Sequence, residues 1–167
     1  MKQRNELEPT IDVAEKLYPQ VIELLSEYNE SGDSVEIEKI IHKLCLVTGK
    51  EITEHNLFEY WEEMGSQELA FKLSLPYPEK VKKITKDEIL EIVRRVVHFD
   101  TEGLSDFFTN QNIPIAWVLN DCYYIPLLEK NFDCPNVEDL FSRQIVDGKY
   151  IEYTVEEIVD KIATFEK

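Results

Sequence analysis

The chain has 167 residues, of which 34 are acidic and 18 are Lys or Arg, so its formal net charge at pH 7 is −16. Such a charge argues against nucleic acid and against an anionic membrane as partners, because both select for basic surfaces. An apolar fraction of 43% in a chain of this length predicts one domain with a buried core. There is no apolar run long enough for a transmembrane helix.

The cysteines and histidines do not form a recognisable site. Cys45, Cys122 and Cys134 are an odd number without metal-binding spacing, and the first residues lack the apolar core of a secretory signal. Both facts predict reduced thiols in a cytoplasm. His42 lies one helical turn before Cys45, but no second such pair exists. We therefore expect no metal and no cofactor.

Apolar residues at helical spacing predict two helices in the first fifty residues. The first follows Thr10 as its N-cap and continues to about Tyr28, with Gly32 as the expected C-terminal cap. The second starts at Asp33, which an acid three residues later completes as a capping box, and it ends at Gly49.

A third helix is predicted after Thr53, with Phe58 and Trp61 among the side chains that point inward. Gly65 ends it, and a short helix follows. The two prolines in residues 75–84 make this stretch extended, and it is the best place for an internal joint. Because each flank is short for a domain, the prediction remains a single domain.

Thr85 and Glu88 give the clearest helix start in the sequence, a capping box before a helix that reaches about Phe99 and buries Val97 among other residues. One helical turn is expected at 105–108. Near the C-terminus Asp147-Gly148 predicts a tight β-hairpin, since both positions favour positive φ angles. Another capping box, which begins at Thr154, predicts a last helix that buries Phe165.

Residues 113–132 form the densest block of large apolar and aromatic side chains, so we expect them to be the central buried element. Helical spacing favours a helix from Ile115 that Pro126 should end or kink, while a short buried strand at 113–119 is the alternative. Tyr123 and Tyr124 are adjacent and cannot both face one core from a helix, so we expect one of them to line a pocket, a second interface or the opposite side of a fully buried helix. The predicted fold is mostly α: a single-domain bundle of helices around 113–132, with one small β-hairpin near the C-terminus.

Charge is distributed unevenly along the chain. Residues 1–70 hold sixteen acids and six bases, residues 71–100 hold five acids and seven bases, and residues 101–167 hold thirteen acids and five bases. The basic cluster Lys80, Lys82, Lys83 and Lys86 reads as ordinary surface charge, with an internal counter-charge or a rim for an acidic partner as the alternatives. An excess of acids favours a basic partner for the chain as a whole.

These observations lead to a functional hypothesis rather than to a known motif. Small acidic bacterial proteins that neutralise a toxin domain by binding it have this general character. We therefore expect a cytoplasmic protein-binding module, most specifically an immunity or antitoxin protein that binds a basic toxin domain. The alternatives are a regulatory helical adaptor, or an enzyme whose site is assembled from scattered residues. The expected partner contacts are Glu54, Glu59, Glu62, Glu63, Glu68, Tyr123 and Tyr124.

Overall fold

The computed structural model describes residues 4–101 and 103–165, and the side chains of all of these except 59–63 and 146. It confirms a mostly α fold. The helices are α1 Ile11–Glu30, α2 Ser34–Thr48, α3 Glu54–Glu63, α4 Ser66–Ser74, α5 Lys86–His98, α6 Asp106–Asn110, α7 Ile115–Leu119, α8 Ile125–Asn131 and α9 Val155–Ala163. Within the described ranges, no helix combines the length and apolarity that a bilayer span requires.

Shorter elements complete the chain. Single 3₁₀ segments cover Asn5–Leu7 and Val137–Phe141, and a π-helical turn covers Asn120–Tyr124. The predicted hairpin is confirmed as antiparallel strands β1 (Gln144–Val146) and β2 (Lys149–Ile151). Asp147 and Gly148 both have positive φ angles, of 52° and 74°, as a tight turn of this kind requires.

Contacts within the chain divide it into two compact units. We call residues 10–76 and 103–118 the acidic unit. We call the remainder, described for 4–9, 77–101 and 119–165, the clasped unit. One boundary follows Pro76, inside the stretch 75–84 that the sequence marks as a joint. That the two units form one domain stays a prediction.

An aromatic cluster forms part of the core of the acidic unit, in which α1 packs against α2 and α4 and α3 packs against α4. The rings of Tyr18, Phe71 and Phe107 each meet Phe108 edge to face, with centroids 4.7–5.3 Å apart. Phe71 and Phe108 are fully buried. Edge-to-face pairs add to the stabilisation that burial gives, so this cluster contributes to the stability of the unit.

In the clasped unit α5 packs against α9, and α8 packs against the 3₁₀ segment Val137–Phe141. The capping boxes predicted at Thr85 and Thr154 are both present, with the threonine side chain and the later glutamate each accepting a backbone N–H of the other residue. In the acidic unit the predicted cap at Thr53 is confirmed by its bond from the backbone N–H of Asn56, and Gly49 ends α2 with a φ of 67°.

Other local predictions were correct only in part. Thr10 occupies the N-cap of α1, but its side chain accepts no capping hydrogen bond. The C-cap of α1 is Ser31 rather than Gly32. Asp33 caps α2 through the N–H of Val35, while the side chain expected to complete its capping box bonds to Ser31 instead.

Several apolar side chains expected inside are exposed, namely Phe58, Val97, Trp117 and Phe165. Phe58 and Val97 directly follow the buried Leu57 and Val96. Neighbouring positions on a helix point about 100° apart, so only one of each pair faces the core. Phe165 lies beyond the last residue of α9, where the helical stripe no longer constrains it.

Residues 115–131 are helical, which decides between the helix and strand alternatives for the buried segment. The backbone disturbance that Pro126 was expected to cause takes the form of the π-helical turn just before it. There the N–H of Ile125 bonds to the carbonyl of Asn120, five residues back. A proline cannot donate to the carbonyl four residues earlier and its ring collides with it, and a π-turn relieves both problems.

Candidate functional site

The exposed acids of α3 and α4 are the predicted partner contacts. Glu54 is exposed in the first turn of α3. Glu59, Glu62 and Glu63 lie on the same helix, but their side chains are outside the described part of the structure. Glu68 is half-buried, and its carboxylate lies over Gly65, where a Cβ would come within 2.5 Å of Oε2.

Two tyrosines of α1 lie close enough to these acids for the acids to affect their pKa values. Burial raises the pKa of Tyr28, and the negative charge of Glu54 raises it further. Burial likewise raises the pKa of Tyr18, with a second contribution from Glu68. Because both pKa values are raised, both tyrosines stay neutral at pH 7.

An exposed aromatic ring accompanies the acids on α3. Phe58 is 59% exposed and follows Glu54 by four residues, so the two side chains lie on one face of the helix. On α2, Val35 and Leu46 are also well exposed. A large apolar side chain beside carboxylates is a common composition for a protein-binding surface, because the ring supplies buried area and the charges supply attraction.

Within the acidic unit, few basic residues balance the acids. Its sequence holds fifteen acids and five bases, a net charge of −10. Lys16 and Lys43 form exposed ion pairs with Asp12 and Glu27, at 3.6 Å and 3.8 Å. Lys50 is buried and donates to the backbone carbonyl of residue 72 at 2.7 Å. By count, the five bases of this unit can offset at most a third of its fifteen acidic charges.

Tyr123 and Tyr124 are not part of a contact surface in this structure. Their side chains are 4% and 1% exposed, and their rings pack edge to face at 5.6 Å. The helix that carries them is buried on more than one side of the clasped unit, which is how two adjacent rings both become internal. A partner could reach neither ring without opening this unit, so the expected contact role does not fit their position.

The hydroxyls of these tyrosines belong to a polar network. We call this network the clasp, and its members are Arg4, Glu8, Glu88, Arg95, Tyr123 and Tyr124. Arg95 donates from Nη1 and Nη2 to the two carboxylate oxygens of Glu8, at 2.6 Å and 3.2 Å. Tyr124 accepts from Arg95 at 3.2 Å, and Tyr123 donates to the backbone carbonyl of Glu8 at 2.8 Å. Glu8 is thus held through both its side chain and its backbone.

A second pair of the same kind holds the other end of the N-terminal segment. Arg4 donates to Glu88 at 2.6 Å and 3.2 Å, and Glu88 also accepts from the backbone N–H and the hydroxyl of Thr85. The two pairs run in opposite senses, since the segment supplies the arginine at one end and the glutamate at the other. Bidentate pairs of this geometry are the strongest ionic hydrogen bonds in proteins.

The pKa shifts in the clasp follow from these contacts. Burial alone would lower the pKa of Arg95, but the hydrogen bonds to Glu8 and Tyr124 outweigh it and raise that pKa. Burial would raise the pKa of Glu88, yet the bonds from Arg4 and Thr85 lower it below its usual value. Burial raises the pKa of both tyrosines. These shifts keep Arg95 and Glu88 charged and the two tyrosines neutral, as expected of a structural network.

Sequence reasoning missed the clasp, naming Glu88 only as a helix cap. Its ion pairs join residues 84 and 87 positions apart. The single local signal was the spacing of Glu91 and Arg95, which form an ion pair at 3.3 Å one helical turn apart. No rule of spacing would have paired either arginine with its distant glutamate.

Neither a metal site in the described part of the structure nor a known relative indicates the function of this chain. Among the residues whose positions are described, no group of three or more His, Cys, Asp or Glu side chains could hold a metal ion. In comparisons with known proteins, no family model, no curated protein and no solved structure matches the chain.

Proposed function

We propose that this chain is a protein-binding module that binds a basic protein partner through its acidic unit. Its most specific form would be an immunity or antitoxin protein that occludes a basic toxin domain. The observation that carries the proposal is the charge of the acidic unit, a net −10 from fifteen acids and five bases. A charge of this size attracts an oppositely charged protein and accelerates its association.

The acidic helix α3 is the best candidate for the contact. It begins with the exposed Glu54, carries Phe58 as an exposed ring, and contains three more glutamates in its second half. In protein interfaces an aromatic side chain commonly supplies much of the binding energy, while surrounding charges set the association rate. We assign the anchor role to Phe58 and the steering role to Glu54, Glu59, Glu62 and Glu63.

The first test identifies the partner and the second tests the mechanism. A pull-down at low salt, followed by mass spectrometry, should recover a basic protein, and a toxin activity that the chain inhibits would establish the specific form. For that partner, the triple variant Glu59→Lys, Glu62→Lys and Glu63→Lys should associate much more slowly at low salt. The difference should shrink as the Debye length falls from ~30 Å at 0.01 M salt to ~10 Å at 0.1 M.

A matched triple reversal separates local steering from net charge. Glu138, Asp139 and Glu156 are exposed acids of the clasped unit, and reversing them changes the net charge by the same amount. The control should slow association much less than the α3 variant. If both variants associate equally, or if the wild-type rate does not depend on salt, the α3 interface is wrong. Phe58→Ala should instead raise the dissociation rate, consistent with a loss of about 2 kcal/mol at an anchor.

A further inference from the structure

The clasped unit contains a groove with a volume of about 430 Å³ on its most basic segment. Its rim carries Lys80, Lys82 and Lys83, all of them exposed. Its floor is apolar and includes Ile84 and Phe132, both nearly fully buried. We call it the lysine groove. Its volume lies within the range of small-molecule sites, which is roughly 300–1,000 Å³.

The backbone of the lysine groove is held in place by side chains from elsewhere in the unit. Asn131 is buried, accepts from the N–H of Val81 at 2.8 Å and donates to the carbonyl of Leu127 at 2.7 Å. Arg4 donates to the carbonyls of Lys82 and Lys83 at 3.4 Å and 3.0 Å. The loop therefore keeps its shape without a ligand, and a ligand would not have to order it.

Lys83 also has a left-handed backbone, with a φ of 53°. A residue other than glycine adopts this conformation at some cost in free energy, unless its surroundings hold it there. Here the bond from Arg4 to the Lys83 carbonyl supplies such a constraint. The backbone that carries Lys82 and Lys83 is thereby held at the rim of the groove.

The three rim lysines carry positive charge that nearby acids do not cancel. Within residues 4–101 and 103–165, and apart from the undescribed side chains, none of the three forms an ion pair. The neighbouring acids have other partners, because Glu88 is bound by Arg4 and Asp160 by Lys86 at 2.5 Å. Glu79 precedes Lys80, and Asp133 follows Phe132 of the groove floor. On a protein of net charge −16, three uncancelled lysines around one groove are a local exception.

We propose that the lysine groove binds a small polyanion, a ligand of two or more negative charges carried by phosphate or carboxylate groups. Lysines recognise such groups as point charges and hydrogen-bond donors. The size of the ligand follows from the charge of the chain. A large anionic macromolecule is repelled by the acidic surface as a whole, whereas a small ligand feels mainly charges within a Debye length of about 8–10 Å. This inference does not depend on the proposed protein partner.

The experiment is calorimetric titration of the full chain with inorganic pyrophosphate at about 0.1 M salt, where the Debye length is ~10 Å. Wild type should bind it, and the variant Lys80→Gln, Lys82→Gln and Lys83→Gln should bind at least roughly tenfold more weakly, because each lost charged hydrogen bond weakens binding. The matched control removes three exposed lysines elsewhere, at Lys39, Lys43 and Lys149. It should bind like wild type. Thermal unfolding by circular dichroism checks that both variants are folded.

Two further ligands distinguish the sources of the anion. Citrate tests whether the groove prefers carboxylates to the phosphates of pyrophosphate. Tighter binding of either ligand supports the proposal if that binding is lost in the groove variant. A hexaglutamate peptide tests an acidic protein segment. Lysine-dependent binding of this peptide that is tighter than binding of pyrophosphate would overturn the small-ligand assignment. If wild type binds neither pyrophosphate nor citrate, or if wild type and the groove variant bind them with equal affinity, the site itself is wrong.

Discussion

The two units of this chain use charge in different ways. The acidic unit holds fifteen acids and five bases, and its core includes a cluster of aromatic rings. The clasped unit holds nineteen acids and thirteen bases, and two of its arginines form bidentate pairs with glutamates. In the acidic unit most charged side chains are on the surface. In the clasped unit some charged side chains form ion pairs between segments that are distant in sequence.

Charged side chains can contribute to partner binding or to stability, and the net charge of the chain does not distinguish these two roles. Surface carboxylates add little to stability but act at a distance on a charged partner. Removing one partner of a partly buried ion pair lowers stability, because the other charge is left without compensation. We therefore expect mutations of the exposed acids in the acidic unit to affect binding, and mutations of the clasp residues to affect stability.

The largest effect is expected from the aromatic cluster of the acidic unit. Phe108→Ala should lower the free energy of unfolding by about 3–5 kcal/mol, because it removes a fully buried ring and leaves a cavity between its neighbours. The matched control is Phe58→Ala, the same change at an exposed position of the same unit, which should cost less than about 0.5 kcal/mol. Urea unfolding measures both, and equal costs would contradict the role of the cluster.

A second comparison tests charge in the two units directly. Arg95→Met should cost about 2–4 kcal/mol, because the Glu8 carboxylate and the Tyr124 hydroxyl lose their donor in a partly buried place. Lys16→Met removes an exposed ion pair of the acidic unit and should change stability by less than about 1 kcal/mol. If urea midpoints show the two variants equally stable, the clasp is not a stabilising network.

The smallest expected difference concerns two threonines at the same helical position. Thr85→Ala removes the capping box of α5 and should cost about 0.5–2 kcal/mol. Thr10 lies at the N-cap of α1 but makes no capping bond, so Thr10→Ala should cost only a few tenths of a kcal/mol. Chemical denaturation of both variants measures the two losses in unfolding free energy. A larger loss for Thr10→Ala than for Thr85→Ala would contradict the assigned caps.

The sequence predicted much of the local structure and little of the site. The capping boxes at Thr85 and Thr154, the hairpin turn at Asp147-Gly148 and the helix end at Gly49 are all present. The exposure of Phe58 was predicted wrongly, because a stripe of apolar residues does not show which neighbour lies on the buried side. For the acids of α3, the sequence supplied the charge but not the adjacent exposed ring as an anchor.

By itself the sequence determined the features that act within about four residues of the chain. A capping side chain bonds to a backbone group three positions away, and a turn residue sets its own φ, so neither needs the rest of the fold. Only the tertiary structure decided that Arg95 meets Glu8, that the two adjacent tyrosines are both internal, and that three lysines surround one groove. Those outcomes depend on which helices pack together, and many distant pairings are compatible with the same local pattern.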